Sequence, residues 1–134
     1  MGYASQDEAL IVLLVEDEPL VRMTAVDELE EAGFHVLEAA NADVALQVLE
    51  AVADEVGVLF TDVDMPGSMN GMALAEHVNA KWPHIMLLIS SGYSAPDPSE
   101  IPDHGHFVAK PYVGGTVARH IHEMTRRSSG DGAE

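Results

Sequence analysis

The sequence predicts an α/β fold, a doubly wound five-stranded parallel sheet with helices on both faces. Two observations carry this. Short aliphatic runs without polar alternation recur along the chain, at LIVLLV (10–15), FHVLEA (34–39), VGVLFT (56–61), IMLLIS (85–90) and HFVAK (106–110). Strands this apolar on both faces belong to a parallel sheet covered on both sides. Between the runs lie segments of helical period, and a β-α alternation of this kind closes through right-handed crossovers.

The first strand, 10–15, leads into a helix whose apolar stripe is Val21, Ala25, Leu29 and Ala32, with Pro19 in its first turn and Gly33 just past its end. The second strand is followed by a stripe of Ala45, Val48, Leu49 and Val52. The third is followed by Leu74, Val78 and Trp82, and Pro83 closes that helix. The fourth unit departs from the pattern: SGYSAPDPSEIPDHG carries Pro96, Pro98 and Pro102, too frequent for a regular helix. The fourth helix is therefore predicted to be short or missing, at most a turn around Pro98–Ile101. The last helix opens with the weak formers Gly114 and Gly115 and carries Val117, Ile121 and Met124 on one stripe. Residues 1–8 are predicted as a flexible N-terminus, 9–127 as one domain and 128–134 as a disordered tail.

Composition narrows the function classes. At 134 residues the chain buries one full core. Its 23 acidic against 6 basic residues, a formal charge of -17, repel phosphate backbones and anionic lipid heads. Binding to nucleic acid or to a membrane surface is excluded on that ground. The chain has no cysteine, which excludes disulfides and thiolate metal sites. The start MGYASQDEAL lacks the pattern of a secretion signal, and Gln6 stands where myristoylation wants Ser or Thr. The longest aliphatic runs fall far short of a membrane span. A cytoplasmic location is expected.

In open parallel α/β sheets, ligands bind outside the carboxyl ends of the strands. The first strand ends there in Glu16 and Asp17, the third in Asp62 and Asp64, the fourth in Ser90 and Ser91, and the fifth in Lys110 and Pro111. The second, ending in Ala39 and Ala40, adds nothing polar. Neighbouring carboxylates need a cation. An all-oxygen site with few carboxylates suits Mg²⁺ better than a many-ligand Ca²⁺ cage. Taken alone, Asp17 and Glu18 read equally well as helix-capping carboxylates; Asp62, Ser90 and Lys110 at matching strand ends favour the site.

These residues resemble a known family. VEDEP (15–19), TDVDMPG (61–67), NG (70–71), SSGY (90–93) and FVAKPY (107–112) follow one another as in the receiver domain of bacterial two-component response regulators. The resemblance implies a flavodoxin-like or CheY-like sheet in the order 2-1-3-4-5. It implies that Asp62 is the phosphoacceptor, that Asp17 ligates Mg²⁺ directly, that Glu16 holds the ion through water, and that the backbone carbonyl of Asp64 is the remaining protein ligand. Ser90 matches the hydroxyl that moves to the phosphoryl group, Lys110 the cation that pairs with it, and Phe107 the aromatic of the switch. Lys110–Pro111 matches a peptide bond that is usually cis. The Asp64 side chain has two readings, an influence on the water that hydrolyses the phosphoryl group or mere anionic charge at the rim.

The chain is thus expected to be a phosphoacceptor signalling domain and not an enzyme in the usual sense, phosphorylated by a sensor histidine kinase or histidine phosphotransfer protein. Its output would be a protein contact, with a phosphate shuttle or sink in a phosphorelay as the alternative. A stand-alone receiver, monomeric or weakly dimeric, is expected, with Tyr93, the 94–104 loop and the last helix as a modified partner surface. DVDM (62–65) also resembles the opening motif of haloacid-dehalogenase-type phosphatases, with Asp62 as nucleophile and Asp64 as general acid. That motif normally lies on a first strand, whereas two β-α units precede it here. Of the seven histidines, His104 and His106 are expected to flank the fifth strand and His120 and His122 to lie on different sides of the last helix, without enough ligands for zinc. Met65, Met69 and Met72 read as apolar gap-fillers, and Arg126 and Arg127 as complements to a helix carboxyl end.

Overall fold

The computed structural model describes residues 10–65, 69–92, 101, 105–110 and 115–133, with side chains through 125. Five parallel strands stand in the order β2-β1-β3-β4-β5, formed by Ile11–Val15 (β1), His35–Ala39 (β2), Val56–Asp62 (β3), Met86–Ser91 (β4) and Gly105–Ala109 (β5). The helices are Pro19–Glu31 (α1), Ala42–Val52 (α2), Gly71–Lys81 (α3) and Thr116–Ala133 (α4), with a 3-10 turn at Ala53–Glu55. The expected order 2-1-3-4-5 is the observed one.

Both faces of the sheet are covered, as the unbroken aliphatic runs require. Leu13, Val15, Leu59, Leu87 and Ile89 point to one side, where they pack with Ala45 and Leu49 of α2 and Leu74 and Val78 of α3. Val12, Leu14, Val58, Phe60, Leu88 and Val108 point to the other, against Ala25 and Leu29 of α1 and Val117, Ile121 and Met124 of α4. Successive residues of β1 thus serve opposite layers, the period-two consequence of the pleat. Met65, Met69 and Met72 pack at the margin of the α2-α3 layer.

Local chemistry sets the helix boundaries. Pro19 stands at the start of α1 and Gly33, at φ 100, follows its C-cap Ala32, a left-handed position that favours glycine. Asn41 and Asn70 cap α2 and α3, their side chains accepting from the amides of Val44 and Ala73, each at 2.9 Å. Glu18, at the N-cap of α1, makes no side-chain capping bond, so the capping reading of that carboxylate does not hold.

Two expectations need comment. The helix α4 continues to Ala133, through the segment expected as a tail from residue 128. His106 lies inside β5 rather than beside it, because the strand begins one residue earlier than its aliphatic run. The expected flexible residues 1–8, Tyr93, Pro111 and most of the 94–104 connection lie outside the described residues. Among the described residues no helix lies between β4 and β5, and no helix is long and apolar enough to cross a membrane.

Candidate functional site

The register of the sheet brings the polar strand ends together. Val15 is paired with Thr61 and Asp62 with Ser90, while Ser91 is paired with Ala109. The residues following these pairs, Glu16 and Lys110, therefore emerge beside Asp62. The amide of Val63 donates to the Ser90 carbonyl at 2.8 Å and that of Lys110 to the Ser91 carbonyl at 3.1 Å. These bonds extend the ladder one step past the strands.

At this edge two carboxylates are buried: Glu16 is 1% exposed and Asp62 4%. Lys110 Nζ lies 2.9 Å from Asp62 Oδ2 and 3.1 Å from Glu16 Oε1, so one ammonium bridges both. The second Glu16 oxygen accepts from the Glu18 amide at 3.1 Å. Asp17 is less buried, and one carboxylate oxygen each of Glu16, Asp17 and Asp62 lie within 4.8 Å of one another. Among the described residues this is the one group of three or more potential metal ligands.

The electrostatics follow from burial. Desolvation pushes the Glu16 carboxyl above its ordinary value, assisted by the Asp62 charge and opposed by the Glu18 amide and Lys110. For Lys110, burial by itself would favour the neutral amine. The hydrogen bonds and charges of Asp62 and Glu16 outweigh it and hold the ammonium above its ordinary pKa. Among the described residues, Lys110 is the one cation paired with the side chains of the buried acids, and it engages one of the two Asp62 carboxylate oxygens.

The other oxygen, Asp62 Oδ1, accepts from the Asp64 amide at 3.2 Å. Asp64 is itself exposed, and its Oδ2 accepts from Ser91 Oγ at 3.1 Å. Ser90 is 1% exposed and its Oγ has no hydrogen-bond partner among the described residues, an uncompensated hydroxyl of the kind that marks a functional position or a missing partner. Phe107 is half-buried against the α2-α3 layer. Glycine is required at Gly71, where a β-carbon would overlap the Asp62 carbonyl, and the Gly71 amide donates to the Val63 carbonyl at 3.0 Å.

All seven residues singled out in the sequence thus stand at one edge of the sheet, Phe107 slightly deeper. Two participants go beyond the roles read from the sequence: Arg22, which carried no signal there, and Ser91, which was placed at the end of the fourth strand without a partner. Arg22 on α1 donates from Nη1 to the Glu16 carbonyl at 2.7 Å and from Nε to Glu38 Oε1 at 3.2 Å. Ser91 pairs with Asp64 across 27 residues. Away from the site, His106 and His120 meet at 5.7 Å between ring centroids and His122 lies on Phe34 at 4.7 Å, so the two helix histidines do serve different neighbours.

A doubly wound sheet with an acidic pair, a lone aspartate and a lysine at its carboxyl edge defines a class, and residues 12–116 match the response regulator receiver domain family. The chain belongs to that family. It is 30% identical to the response regulator receiver protein CpdR of Brucella abortus over 84% of this chain and 94% of that protein. It is 41% identical to the sensor kinase CckA of the same organism over 83 residues, 62% of this chain but only 9% of the kinase. Among solved structures, the receiver domain of the hybrid histidine kinase CckA aligns at a TM-score of 0.74 and 31% identity, covering 85% of this chain and 97% of that one. A receiver domain from Clostridium thermocellum aligns at 0.78 over 90% of this chain and 97% of that one, at 21% identity, a likeness of fold.

Proposed function

We propose that this chain is the phosphoacceptor of a two-component system, with Asp62 taking a phosphoryl group from a histidine kinase or a histidine phosphotransfer protein. The observation that carries the reading is the buried Glu16-Lys110-Asp62 triangle with Asp17 within reach. A carboxylate this buried is not a solubilising group, and one of its oxygens faces only a backbone amide. Phosphoryl transfer disperses negative charge over the equatorial oxygens, so catalysis is largely positioning and electrostatic stabilisation.

The donor set fits Mg²⁺: all oxygens, close together, anionic, and with too few carboxylates for a Ca²⁺ cage. Asp17, Asp62 and the Asp64 carbonyl would hold it, with Glu16 through water. When bound, the ion neutralises charge on the phosphoryl oxygens. The protein's own residues do the rest. Asp62 is the nucleophile: a carboxylate oxygen bonds phosphorus as the P–N bond of the donor's phosphohistidine breaks, and the imidazole leaves with the electron pair and takes up a proton. Lys110 pairs with the phosphoryl group, and the unpartnered Ser90 hydroxyl moves to it, with Phe107 following. That movement biases two surface conformations and so a protein contact in the cytoplasm.

The likeness to a receiver of a hybrid histidine kinase favours a second reading, in which the group passes onward in a phosphorelay. Acetyl phosphate with Mg²⁺ tests the common core. Wild type is expected to gain the mass of one phosphoryl group and Asp62→Asn none; equal labelling of both would remove Asp62 as acceptor. Onward transfer to a phosphotransfer protein separates the two readings.

A further inference from the structure

We infer that Ser91 is a positioning residue that sets the lifetime of the phosphorylated state through Asp64, an inference that rests on Asp62 being the acceptor. The observation is a chain of two contacts. Ser91 Oγ donates to Asp64 Oδ2 at 3.1 Å, and the Asp64 amide donates to Asp62 Oδ1 at 3.2 Å. Ser91 is buried at the end of β4, whereas Asp64 is exposed at the mouth of the site. A surface aspartate left to itself samples several rotamers. Here one carboxylate oxygen is tied to a fixed element of the sheet.

The tie has two consequences. It holds the turn after β3 against β4, so the Asp64 amide stays on the acceptor carboxylate. It also leaves Asp64 Oδ1, which accepts no hydrogen bond from the described residues, as an acceptor beside Asp62. A water bonded there is presented to the phosphoryl group. In hydrolysis the water oxygen bonds phosphorus, and the P–O bond to Asp62 breaks with its electron pair left on the carboxylate. The hydrogens of the water end on inorganic phosphate and in solvent. Positioning of this kind raises a rate without contact between Ser91 and the reacting atoms.

Ser91 is also the neighbour of Ser90, whose hydroxyl has no partner among the described residues. The two adjacent hydroxyls thus have separate assignments: Ser90 is free to move and Ser91 is engaged with the opposite loop. Any shift of the β4 end that carries Ser90 toward the phosphoryl group also pulls on Asp64.

The test is a double-mutant cycle on phosphoryl loss, following wild type, Ser91→Ala, Asp64→Ala and the double variant after labelling with acetyl phosphate and Mg²⁺. Ser91→Ala is expected to lengthen the half-life about threefold to tenfold, the range one hydrogen bond supports. In the Asp64→Ala background the same change is expected to have no further effect. Equal half-lives for wild type and Ser91→Ala, or the same fold-change in both backgrounds, would overturn the inference. Ser91→Thr, which keeps the hydroxyl, is expected to restore the short half-life, a result that packing alone would not produce. Labelling in all four proteins leaves the acceptor reading intact whatever the half-lives, whereas loss of labelling in wild type strikes that reading itself.

Discussion

At Glu16, burial sets the ionised form of a single residue against the stability of the fold. Its carboxyl is buried, accepts one backbone amide and shares one lysine with Asp62. Burial raises its pKa above the ordinary 4.5. Between 4.5 and the raised value the folded chain therefore binds more protons than the unfolded chain, so the contribution of Glu16 to stability is present in full below 4.5 and is lost as pH rises through that window. In Mg²⁺-free buffer, the stability of wild type relative to Glu16→Gln is expected to fall as pH rises, leaving the variant the more stable at neutral pH. Urea denaturation of both proteins at several pH values measures this; a wild-type advantage that grows with pH would contradict it. Lys110 has the opposite charge, and its raised pKa keeps its contribution intact until well into the alkaline range. Removing a cation that neutralises two buried acids is far more costly than neutralising one of them.

At the level of elements, α3 is tied back to the end of β3, the Gly71 amide donating to the Val63 carbonyl. β3 ends at Asp62, the proposed acceptor, and α3 opens at Gly71, whose α-carbon lies against the Asp62 carbonyl so closely that no side chain fits. Asn70 caps α3 immediately before it. The helix therefore supports the strand end that carries Asp62 and does not merely cover the sheet. Gly71→Ala is expected to destabilise the fold by about 1–3 kcal/mol, the usual cost of overpacking, and to reduce labelling by acetyl phosphate more than a mutation of equal cost elsewhere. Ala25→Gly on α1, buried far along a different layer, is the control; equal labelling in the two variants would mean that Gly71 serves packing alone. Glu38 and Arg22 act in the same way across α1 and β2, holding the Glu16 carbonyl from behind.

For the whole molecule, the relevant quantity is the coupling of the proposed ion site to the fold. The acids at the edge come from β1 and β3, central strands with helices on both faces. A cation that binds them binds only the folded chain, so it stabilises by mass action. At a hundredfold excess over its dissociation constant, Mg²⁺ is expected to add about 2.7 kcal/mol, or on the order of 10 °C in melting temperature for a domain of this size. Asp17→Asn is expected to abolish most of that gain. A melting temperature that does not respond to Mg²⁺ in wild type would remove the ion from the proposed function. The net charge of -17 makes the same point at long range, since added cation also relieves general repulsion, and equal ionic strength supplied as NaCl separates the two effects.

The sequence by itself determined the layers and the principal acids, while the strand order was implied only by the family resemblance of its motifs. Aliphatic runs without alternation can be buried only on both faces, and a residue following such a run must leave the sheet at its carboxyl edge, which is why Glu16, Asp17, Asp62, Ser90 and Lys110 were legible from spacing. Helix ends were legible where proline, glycine or asparagine forced them, and not at the end of α4, where Ser-Ser-Gly-Asp-Gly carries no single stop signal. The tertiary structure alone decided which of these groups touch. Whether one lysine bridges two acids, whether Ser90 finds a partner, and whether Ser91 rather than solvent holds Asp64 all depend on register and on distances of a few tenths of an ångström between segments far apart in the chain. Sequence patterns report the periodicity of burial along one element; contacts between elements are set by how those elements pack.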